Sequence, residues 1–463
     1  MGPREIAFQA LLEIYGGRYP KGALWQTHGE LFSTLSPRDR SLAIRIIKGV
    51  LEEDHILTQL LRSLTKEKAT RLDKRVELLL KIGLYQIHFL QKIPPHAAVD
   101  ETVAIGKKKI SQRACGFVNW CLREAIRLKE AGSLHIEAEK TGPKAYPRWL
   151  ISHLERVLGK QDTMAYLREE GLKDYLALRT NPMKISRDEL QGILSHLGIW
   201  WEKGRLTPHA VIIKRKDLGL IKAPVLEKGL AQVQSEASQL AVLLLSPKPG
   251  ECILDLCSGL GTKALYMAQL MENRGVIYCV DKDYKRLKVL LKESQRLGIK
   301  IIKPLVLDIT KELTSIKINF SKILLDAPCS NLGALHRKPE LKLHMHPKRI
   351  DALSKLQLEM LSAAKKLLAQ NGMMLYTTCT ISLEENQENI KRLLGMDRAL
   401  DIMDLRDFDP IIPNHMVDPF GFGRMIPHVH RTDGFFYALI KNRERSSYDQ
   451  DCAILTCRKL FEA

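Results

Sequence analysis

The sequence has no long apolar run. Its most apolar stretches, residues 241–245 and 76–90, are short or are interrupted by charged side chains. A membrane-spanning helix needs about 18 uninterrupted apolar residues. The N-terminal residues Met-Gly-Pro-Arg-Glu are not followed by the apolar core of a secretory signal. These absences predict a cytoplasmic protein that makes no use of a membrane.

Two spacing patterns are also missing, that of a disulfide framework and that of a metal site. The nine cysteines are an odd number and include no Cys-x-x-Cys pair, which predicts free thiols in a reducing compartment. The pairs His344–His346 and His428–His430 have no further ligands at zinc spacing. The sequence therefore predicts no metal, and it leaves some thiols available for chemistry.

Acidic residues are the minority among the charged ones. The chain has 53 Asp and Glu against 72 Lys and Arg, which leaves a formal net charge of +19. Such an excess favours polyanionic partners, because lysine and arginine displace counterions from phosphates. The charge predicts a nucleic-acid partner, with a generally basic surface as the alternative, and it says nothing about the reaction.

What is present divides the chain into four parts. A length of 463 residues is too great for one ordinary core. Apolar residues recur at helical spacing up to about residue 130, mixed patterns follow, and strands alternate with helices after the Pro-Lys-Pro-Gly sequence at 247–250. The prediction is an all-α bundle, a small α+β module, a doubly wound Rossmann-like α/β domain and a C-terminal extension, over residues 1–140, 141–235, 236–445 and 446–463.

A glycine-rich turn opens the α/β domain. The sequence Asp255-Leu-Cys-Ser-Gly-Leu-Gly-Thr-Lys263 follows a predicted strand, Cys252–Leu256, and precedes a predicted helix. Glycines let a ligand approach the backbone, and a helix N-terminus offers free N–H donors. Asp281 ends the second strand about 20 residues later, where a carboxylate can bind ribose hydroxyls. A nucleotide-like ligand is predicted, although Gly259-x-Gly261-x-x-Ala264 fits an NAD-binding fingerprint as well.

Two cysteines follow later strands of the same domain. Cys329 stands shortly after Asp326, at the predicted end of the fourth strand, and Cys379 stands at the predicted end of the fifth. Ligands of doubly wound sheets bind beyond the carboxyl ends of the strands. Both thiols are therefore expected to face the crevice that contains the glycine-rich turn.

A pyrimidine methyltransferase has a use for such a pair, whereas a dehydrogenase has none. A thiolate that adds to C6 of cytosine turns C5 into an enamine-like carbon, which can attack a methyl sulfonium. The nucleophile must ionise, which predicts a positive charge or a helix N-terminus nearby. Asp326, if it shares a proton with N3 of the base, would stabilise the charge that develops on the ring.

The motifs around these cysteines resemble those of a known family. Residues 326–340 and 376–387 resemble the fourth and sixth motifs of the NOL1/NOP2/Sun RNA (cytosine-5) methyltransferases, and residues 233–239 and 433–438 also match. The N-terminal bundle resembles the antitermination factor NusB at Pro95-His-Ala-Ala-Val-Asp-Glu-Thr-Val and at Phe117-Val-Asn-Trp-Cys-Leu-Arg. The resemblance covers nearly the whole chain, and it implies a class I methyltransferase domain behind an RNA-binding bundle.

The resemblance also implies an activity and its residues. Cys379 would be the nucleophile, Cys329 would assist release of the methylated RNA, and the product would be 5-methylcytidine in small-subunit (16S) ribosomal RNA. The chain is expected to act as a monomer. The same chemistry on transfer RNA, and a non-catalytic NusB-like RNA-binding adaptor, stay open. S-adenosyl-L-methionine would bind Cys257, Ser258, Gly259, Leu260, Gly261, Thr262, Lys263, Asp281, Asp308 and Asp326.

The sequence departs from the family pattern at two places. The usual turn Cys-Ala-Ala-Pro-Gly-Gly-Lys is replaced by the sequence of residues 257–263, and the usual Gly-Thr after the fourth-motif Cys-Ser is Asn331-Leu332. Loop geometry or cofactor affinity is expected to differ, but both thiols remain and we predict an active enzyme.

Two further sets of residues are interpreted as RNA contacts, with surface charge or core packing as the alternative. Basic and aromatic side chains together suit single-stranded RNA. The sets are Arg337, Lys338, Lys342, Lys348 and Arg349 after the Cys329 motif, and Trp200, Trp201, Lys203 and Arg205 in the small module.

Overall fold

The computed structural model describes residues 1–16, 32, 34–65, 72–133, 146–169, 171–312, 316 and 318–443. The predicted extension, 446–463, with Cys452 and Cys457, lies outside these residues. The chain forms two compact units, of which the first contains residues 1–152 and 338–344 and the second contains residues 153–337 and continues from 345. No helix within the described ranges has the length and apolar character that a membrane crossing requires.

The first unit is a helical bundle. As the Ser-Pro pair predicts, Ser36 caps a helix by accepting the backbone N–H of Asp39, and Pro37 takes the first helical position. Leu79, Ile82 and other apolar side chains spaced along the helices are buried in one core. The helices are α1 Pro3–Tyr15, α2 Pro37–Glu52, α3 Asp54–Thr65, α4 Lys74–Phe89, α5 Pro95–Lys109 and α6 Gln112–Glu130.

A further helix, α7 Arg148–Arg168, breaks at Gly159, where φ is +77°. After it, the second unit begins with a small antiparallel sheet in the order β2-β3-β1-β4, which buries one apolar face. Helix α8 carries a reciprocal capping box between Ser186 and Glu189. The elements are β1 Tyr175–Thr180, α8 Arg187–His196, β2 Trp201–Lys203, β3 Ala210–Lys214 and β4 Ala231–Val233.

The larger sheet of the second unit has the order β10-β12-β9-β8-β5-β6-β7, and β11 pairs with β12. Strands β7, β6, β5, β8 and β9 are parallel, and β12 is antiparallel to its neighbours β9 and β10. The predicted doubly wound fold is thereby confirmed. The strands are β5 Cys252–Leu256, β6 Val276–Asp281, β7 Ile302–Val306, β8 Phe320–Asp326, β9 Leu368–Thr378, β10 Leu400–Met403, β11 Gly423–Met425 and β12 Phe435–Asn442.

Helices pack on both faces of this sheet and enclose two apolar clusters. The sequence pattern predicts one long helix over residues 350–368, which is wrong at its end, because the helix stops at Ala364 and β9 begins at Leu368. The helices are α9 Glu236–Leu245, α10 Thr262–Leu270, α11 Tyr284–Leu297, α13 Pro347–Ala364, α14 Gln387–Met396 and α15 Pro427–His430, while α12 Leu341–His344 belongs to the first unit.

Candidate active site

The strand order reverses between β5 and β8, and the candidate site lies at the carboxyl ends of the strands around that point. From β5 the chain proceeds outward through β6 and β7, and it then returns to the other side of β5 as β8 and β9. Ligand crevices of doubly wound folds open at such a switch point. The glycine-rich turn follows β5, Asp281 ends β6, Asp326 ends β8, and Cys379 directly follows β9.

The two thiols meet in this crevice. Cys329 Sγ lies 3.4 Å from Cys379 Sγ. The Cys329 side chain is buried, and the Cys379 side chain is half-buried. Hydrogen bonding with Cys379, followed by burial, raises the pKa of Cys329 well above its usual range. Cys329 is therefore held as a thiol that can donate a hydrogen bond to its neighbour.

A carboxamide also contacts the nucleophile predicted from the sequence. Asn331 Oδ1 accepts a hydrogen bond from the Cys379 thiol over 3.0 Å, and Asn331 Nδ2 donates to the Cys329 carbonyl oxygen over 2.9 Å. The backbone at Asn331 has a φ of +59°, a conformation that glycine adopts freely and asparagine tolerates. The departure from the family's glycine therefore fits the loop conformation and adds a polar group beside the thiols.

The loop that carries Cys329 is fastened to the strand ends through two glycines. The Gly333 N–H donates to the carbonyl oxygen of Cys379 over 3.1 Å, and the Gly434 N–H donates to the carbonyl oxygen of Gly333 over 2.8 Å. A Cβ atom on either glycine would collide with the backbone of the other. Backbone contact this close requires glycine at both positions and fixes the loop against the start of β12.

A network of buried polar side chains holds the loop that carries Cys329. The Glu385 carboxylate accepts hydrogen bonds from the backbone N–H of Ser330 over 2.8 Å and from Gln357 Nε2 over 3.0 Å. Gln357 Nε2 also donates to the Pro328 carbonyl oxygen over 2.9 Å. Burial raises the pKa of Glu385. The sequence analysis did not predict that Glu385 supports the Cys329 loop. Its position in the sixth motif, residues 376–387, is the one signal that pointed to it.

In the turn predicted to bind the cofactor, every second residue has a left-handed backbone conformation. Cys257, Gly259 and Gly261 have φ values of +62°, +59° and +81°. The Gly259 N–H donates to Asp281 Oδ2 over 3.0 Å, which fixes the turn to the end of β6. Burial raises the pKa of Cys257 above its usual range, so this residue is held in the turn as a thiol. Ser258, Leu260 and Thr262 lie on the same turn.

The three other predicted cofactor residues are Lys263, in the first turn of α10, and Asp308 and Asp326, at or just after the ends of neighbouring strands. Lys263 Nζ contacts Asp326 Oδ2 over 2.5 Å. Asp308 follows β7, and a hydrogen bond from Thr310 lowers the pKa of its carboxyl group. All ten predicted cofactor residues therefore belong to the turn or to strand ends beside it, as a bound nucleoside would require. Their binding role stays a prediction.

Asp255 supplies an independent test of whether this crevice suits a ligand. The side chain is only 1% exposed, and neither carboxyl oxygen has a hydrogen-bond partner among the described residues. Burial, together with the charge of Asp326, raises the pKa of Asp255 well above its usual range. A buried polar group without a partner is unfavourable unless a ligand satisfies it, so the donor set fits S-adenosylmethionine.

A fully buried arginine connects the small sheet to the turn. Arg179 on β1 donates from Nη1 to the Thr262 carbonyl oxygen over 2.9 Å and from Nη2 to Gln232 Oε1 over 2.7 Å, and it also binds Gln234. Its guanidinium lies 4.6 Å from the ring centre of Tyr266. Burial lowers the pKa of Arg179 to about 9. The small sheet thus helps to fix the start of α10.

Replacing Arg179 by methionine is expected to lower the free energy of unfolding by about 2–4 kcal/mol, because buried acceptors lose a charged donor. S-adenosylmethionine is expected to bind about tenfold more weakly, since the turn loses its anchor at Thr262. Guanidinium denaturation and calorimetric titration measure these effects. The exposed Arg205 supplies the control Arg205→Met, and equal effects of both substitutions would contradict the anchoring role.

The predicted RNA contacts divide into half-buried and exposed residues. Arg337 is half-buried: its Nε contacts Asp433 Oδ1 over 2.7 Å and its Nη1 donates to the Tyr175 carbonyl oxygen over 3.2 Å. Lys342 donates to the Glu52 carbonyl oxygen over 2.8 Å, and burial lowers its pKa, so both cations already have partners within the protein and their contact with phosphate stays a prediction. The exposed members are Lys348, Arg349, Lys203, Arg205 and Trp200, while Trp201 packs against the apolar cluster of the small sheet and Lys338 is half-buried.

The described residues contain no group of three or more His, Cys, Asp or Glu side chains arranged to hold a metal ion.

Comparison with known proteins gives matches over almost the whole chain. Residues 242–441 match the family model of the 16S rRNA methyltransferase RsmB/F, residues 1–127 match the NusB family, and residues 146–217 match the ferredoxin-like domain of RsmF/B-like methyltransferases. The probable ribosomal RNA small subunit methyltransferase B of Synechocystis sp. is 31% identical over 415 residues, which are 88% of this chain and 92% of that protein.

Two solved structures are similar as well. The crystal structure of PH0851 has a TM-score of 0.76 at 28% identity and covers 95% of this chain and 99% of its own. A methyltransferase homolog protein from Pyrococcus horikoshii has a TM-score of 0.55 at 27% identity and covers 64% of this chain and 95% of its own.

Proposed function

Because the chain belongs to the family of 16S rRNA methyltransferases RsmB/F, we propose that it methylates C5 of a specific cytosine in small-subunit ribosomal RNA. The methyl donor is S-adenosyl-L-methionine, and the reaction passes through a covalent adduct between Cys379 and the base. The observation that carries the proposal is the distance of 3.4 Å between Cys329 Sγ and Cys379 Sγ at the switch point of the sheet.

The residues of the crevice take separate roles in this reaction. The Cys379 thiolate adds to C6 of the cytosine, which makes C5 nucleophilic. S-adenosylmethionine supplies an electrophilic methyl group when it is bound beside the glycine-rich turn. Solvent then takes the proton from C5, the electrons of the C5–H bond restore the C5=C6 double bond, and the C6–S bond breaks so that Cys379 leaves as a thiolate. The Cys329 thiol stabilises that leaving thiolate by a hydrogen bond, because its raised pKa keeps it protonated.

Two carboxyl groups complete the proposed site. Asp326, which contacts Lys263, orients the pyrimidine, and a proton shared between Asp326 and N3 neutralises the negative charge that develops on the ring. Asp281 binds the ribose hydroxyls of the donor, a role that suits a carboxylate at the end of the second strand of such a sheet. Asp308 contributes to the same nucleoside site at the end of the third strand.

Of the two candidate substrates, we propose small-subunit ribosomal RNA and not transfer RNA. The relative from Synechocystis sp. is named for that substrate and aligns over 88% of this chain, and a NusB family match precedes the methyltransferase region. A non-catalytic RNA-binding adaptor is disfavoured because both thiols stand in intact motifs and in hydrogen-bond contact. The target base must leave any duplex before Cys379 can reach it.

The test is methylation of unmodified small-subunit ribosomal RNA by the purified full chain and labelled S-adenosylmethionine. Nuclease digestion and mass spectrometry are expected to find the label in 5-methylcytidine, and bisulfite sequencing of RNA from cells with and without the protein locates the position. Label in another nucleoside would contradict the C5 chemistry, and preferential labelling of transfer RNA would contradict the substrate.

A further inference from the structure

The side chain of Asn331 joins the two thiols into a closed set of hydrogen bonds. Cys329 Sγ contacts Cys379 Sγ over 3.4 Å, the Cys379 thiol donates to Asn331 Oδ1 over 3.0 Å, and Asn331 Nδ2 donates to the Cys329 carbonyl oxygen over 2.9 Å. Because the amide nitrogen is engaged by that carbonyl, the amide oxygen faces Cys379. An oxygen acceptor stabilises S–H and does not stabilise a thiolate.

The backbone conformation at residue 331 does not require an amide, although Asn331 Nδ2 also donates to the Cys329 carbonyl oxygen of the same loop. The φ of +59° at Asn331 is open to glycine, asparagine and aspartate, whereas other residues adopt it less readily. The fourth-motif resemblance predicts glycine at this position, so the carboxamide is a departure of this chain from that pattern, in a conformation that glycine would also allow. Substitutions among these three residues therefore change the chemistry at Cys379 without straining the backbone at position 331.

We propose that Asn331 is a positioning residue that holds the resting Cys379 as a thiol and thereby sets the pH above which this cysteine becomes nucleophilic. The inference rests on the proposed function only in taking Cys379 as the nucleophile. For attack, Cys379 Sγ gives up its proton to solvent and the thiolate loses its interaction with Asn331 Oδ1. The Cys329 thiol, 3.4 Å away, can then donate a hydrogen bond to the thiolate.

Other titratable groups surround the pair and stay constant when Asn331 is changed. Cys329 lies on the same loop, Asp326 ends β8, Tyr376 lies on β9, Glu385 follows β9, and Lys263 pairs with Asp326. Burial raises the pKa values of Tyr376 and Glu385, and both groups are present in every variant that is compared. A difference between Asn331 variants therefore reports the contact with the amide.

The test compares Asn331→Gly and Asn331→Asp with the unchanged chain. The rate at which iodoacetamide alkylates Cys379 is followed over a range of pH, and peptide mapping separates Cys379 from Cys329. We expect the midpoint for Asn331→Gly to move to lower pH by about one unit, which makes alkylation near neutral pH about tenfold faster. Asn331→Asp places a negative charge beside the sulfur, so its midpoint is expected to move to higher pH.

The pH dependence of kcat for methyl transfer is expected to shift in the same directions as alkylation. A midpoint unchanged in Asn331→Gly, with only the plateau rate raised, would mean that the amide merely blocks access and would overturn the proposal. A midpoint moved to higher pH would show that the amide favours the thiolate, which also overturns it. Alkylation needs neither RNA nor methyl donor. The alkylation test of Asn331 therefore remains valid even if the protein does not methylate cytosine.

Discussion

Cys379→Ala is expected to abolish methyl transfer, with kcat lower by about 10⁴-fold or more. Without the sulfur nothing adds to C6, and C5 of a neutral cytosine does not attack a methyl sulfonium at a useful rate. Affinity for S-adenosylmethionine should stay within a few fold, because the predicted cofactor residues lie on the glycine-rich turn and at other strand ends. Transfer of labelled methyl groups to small-subunit ribosomal RNA, and calorimetric titration of the donor, measure the two quantities separately.

A matched control for this substitution is Cys252→Ala. Cys252 is also half-buried, but it begins β5 and so lies at the opposite edge of the sheet from the crevice. The control should retain methyl transfer at nearly the full rate. Normal turnover by Cys379→Ala would exclude covalent catalysis through this cysteine, whatever the RNA substrate proves to be.

Cys329→Ala is expected to have the second large effect, which is accumulation of a covalent protein–RNA adduct. The first addition still occurs, but the departing Cys379 thiolate loses the donor that stood 3.4 Å away. A hydrogen bond to a charged group contributes about 1.5–3 kcal/mol, so breakage of the C6–S bond should slow by about 10- to 100-fold. Labelled RNA should then migrate with the protein in a denaturing gel.

The double substitution of Cys329 and Cys379 by alanine separates this adduct from other complexes. It removes the nucleophile, so no species resistant to denaturation should form. An adduct that persists in the double variant would arise from another residue. Normal turnover without any adduct in Cys329→Ala would mean that Cys329 has no part in release.

The central strands and the meeting of the thiols could be predicted because both follow from local pattern and sheet geometry. Strand β5 was predicted at Cys252–Leu256 and has these bounds, since a short apolar run ends at a glycine-rich turn. Strands β8 and β9 are parallel neighbours, so residues just beyond their carboxyl ends must lie at one edge. Cys329 and Cys379 meet there for that reason.

Polar contacts between distant segments could not be predicted in this way. Arg337 resembles a surface cation in the sequence, yet two of its partners, Asp433 and Tyr175, are 96 and 162 residues away along the chain. Arg179 lies on a short apolar strand, where the pattern does not show that its guanidinium reaches Thr262. Strands β2 and β4 have three residues each, too few for an alternating pattern to appear.

The contact between Gly333 and Gly434 limits how this enzyme can be recombined with its relatives. A chimera that takes the Cys329 loop from one parent and the β12 entrance from another brings together two backbones that were shaped separately, with no side chain to fill a mismatch. Even when both glycines are present, a displacement of one backbone by a fraction of an ångström would produce a clash or a gap between them. Grafts should therefore exchange residues 326–335 and 432–438 together, as one inherited piece.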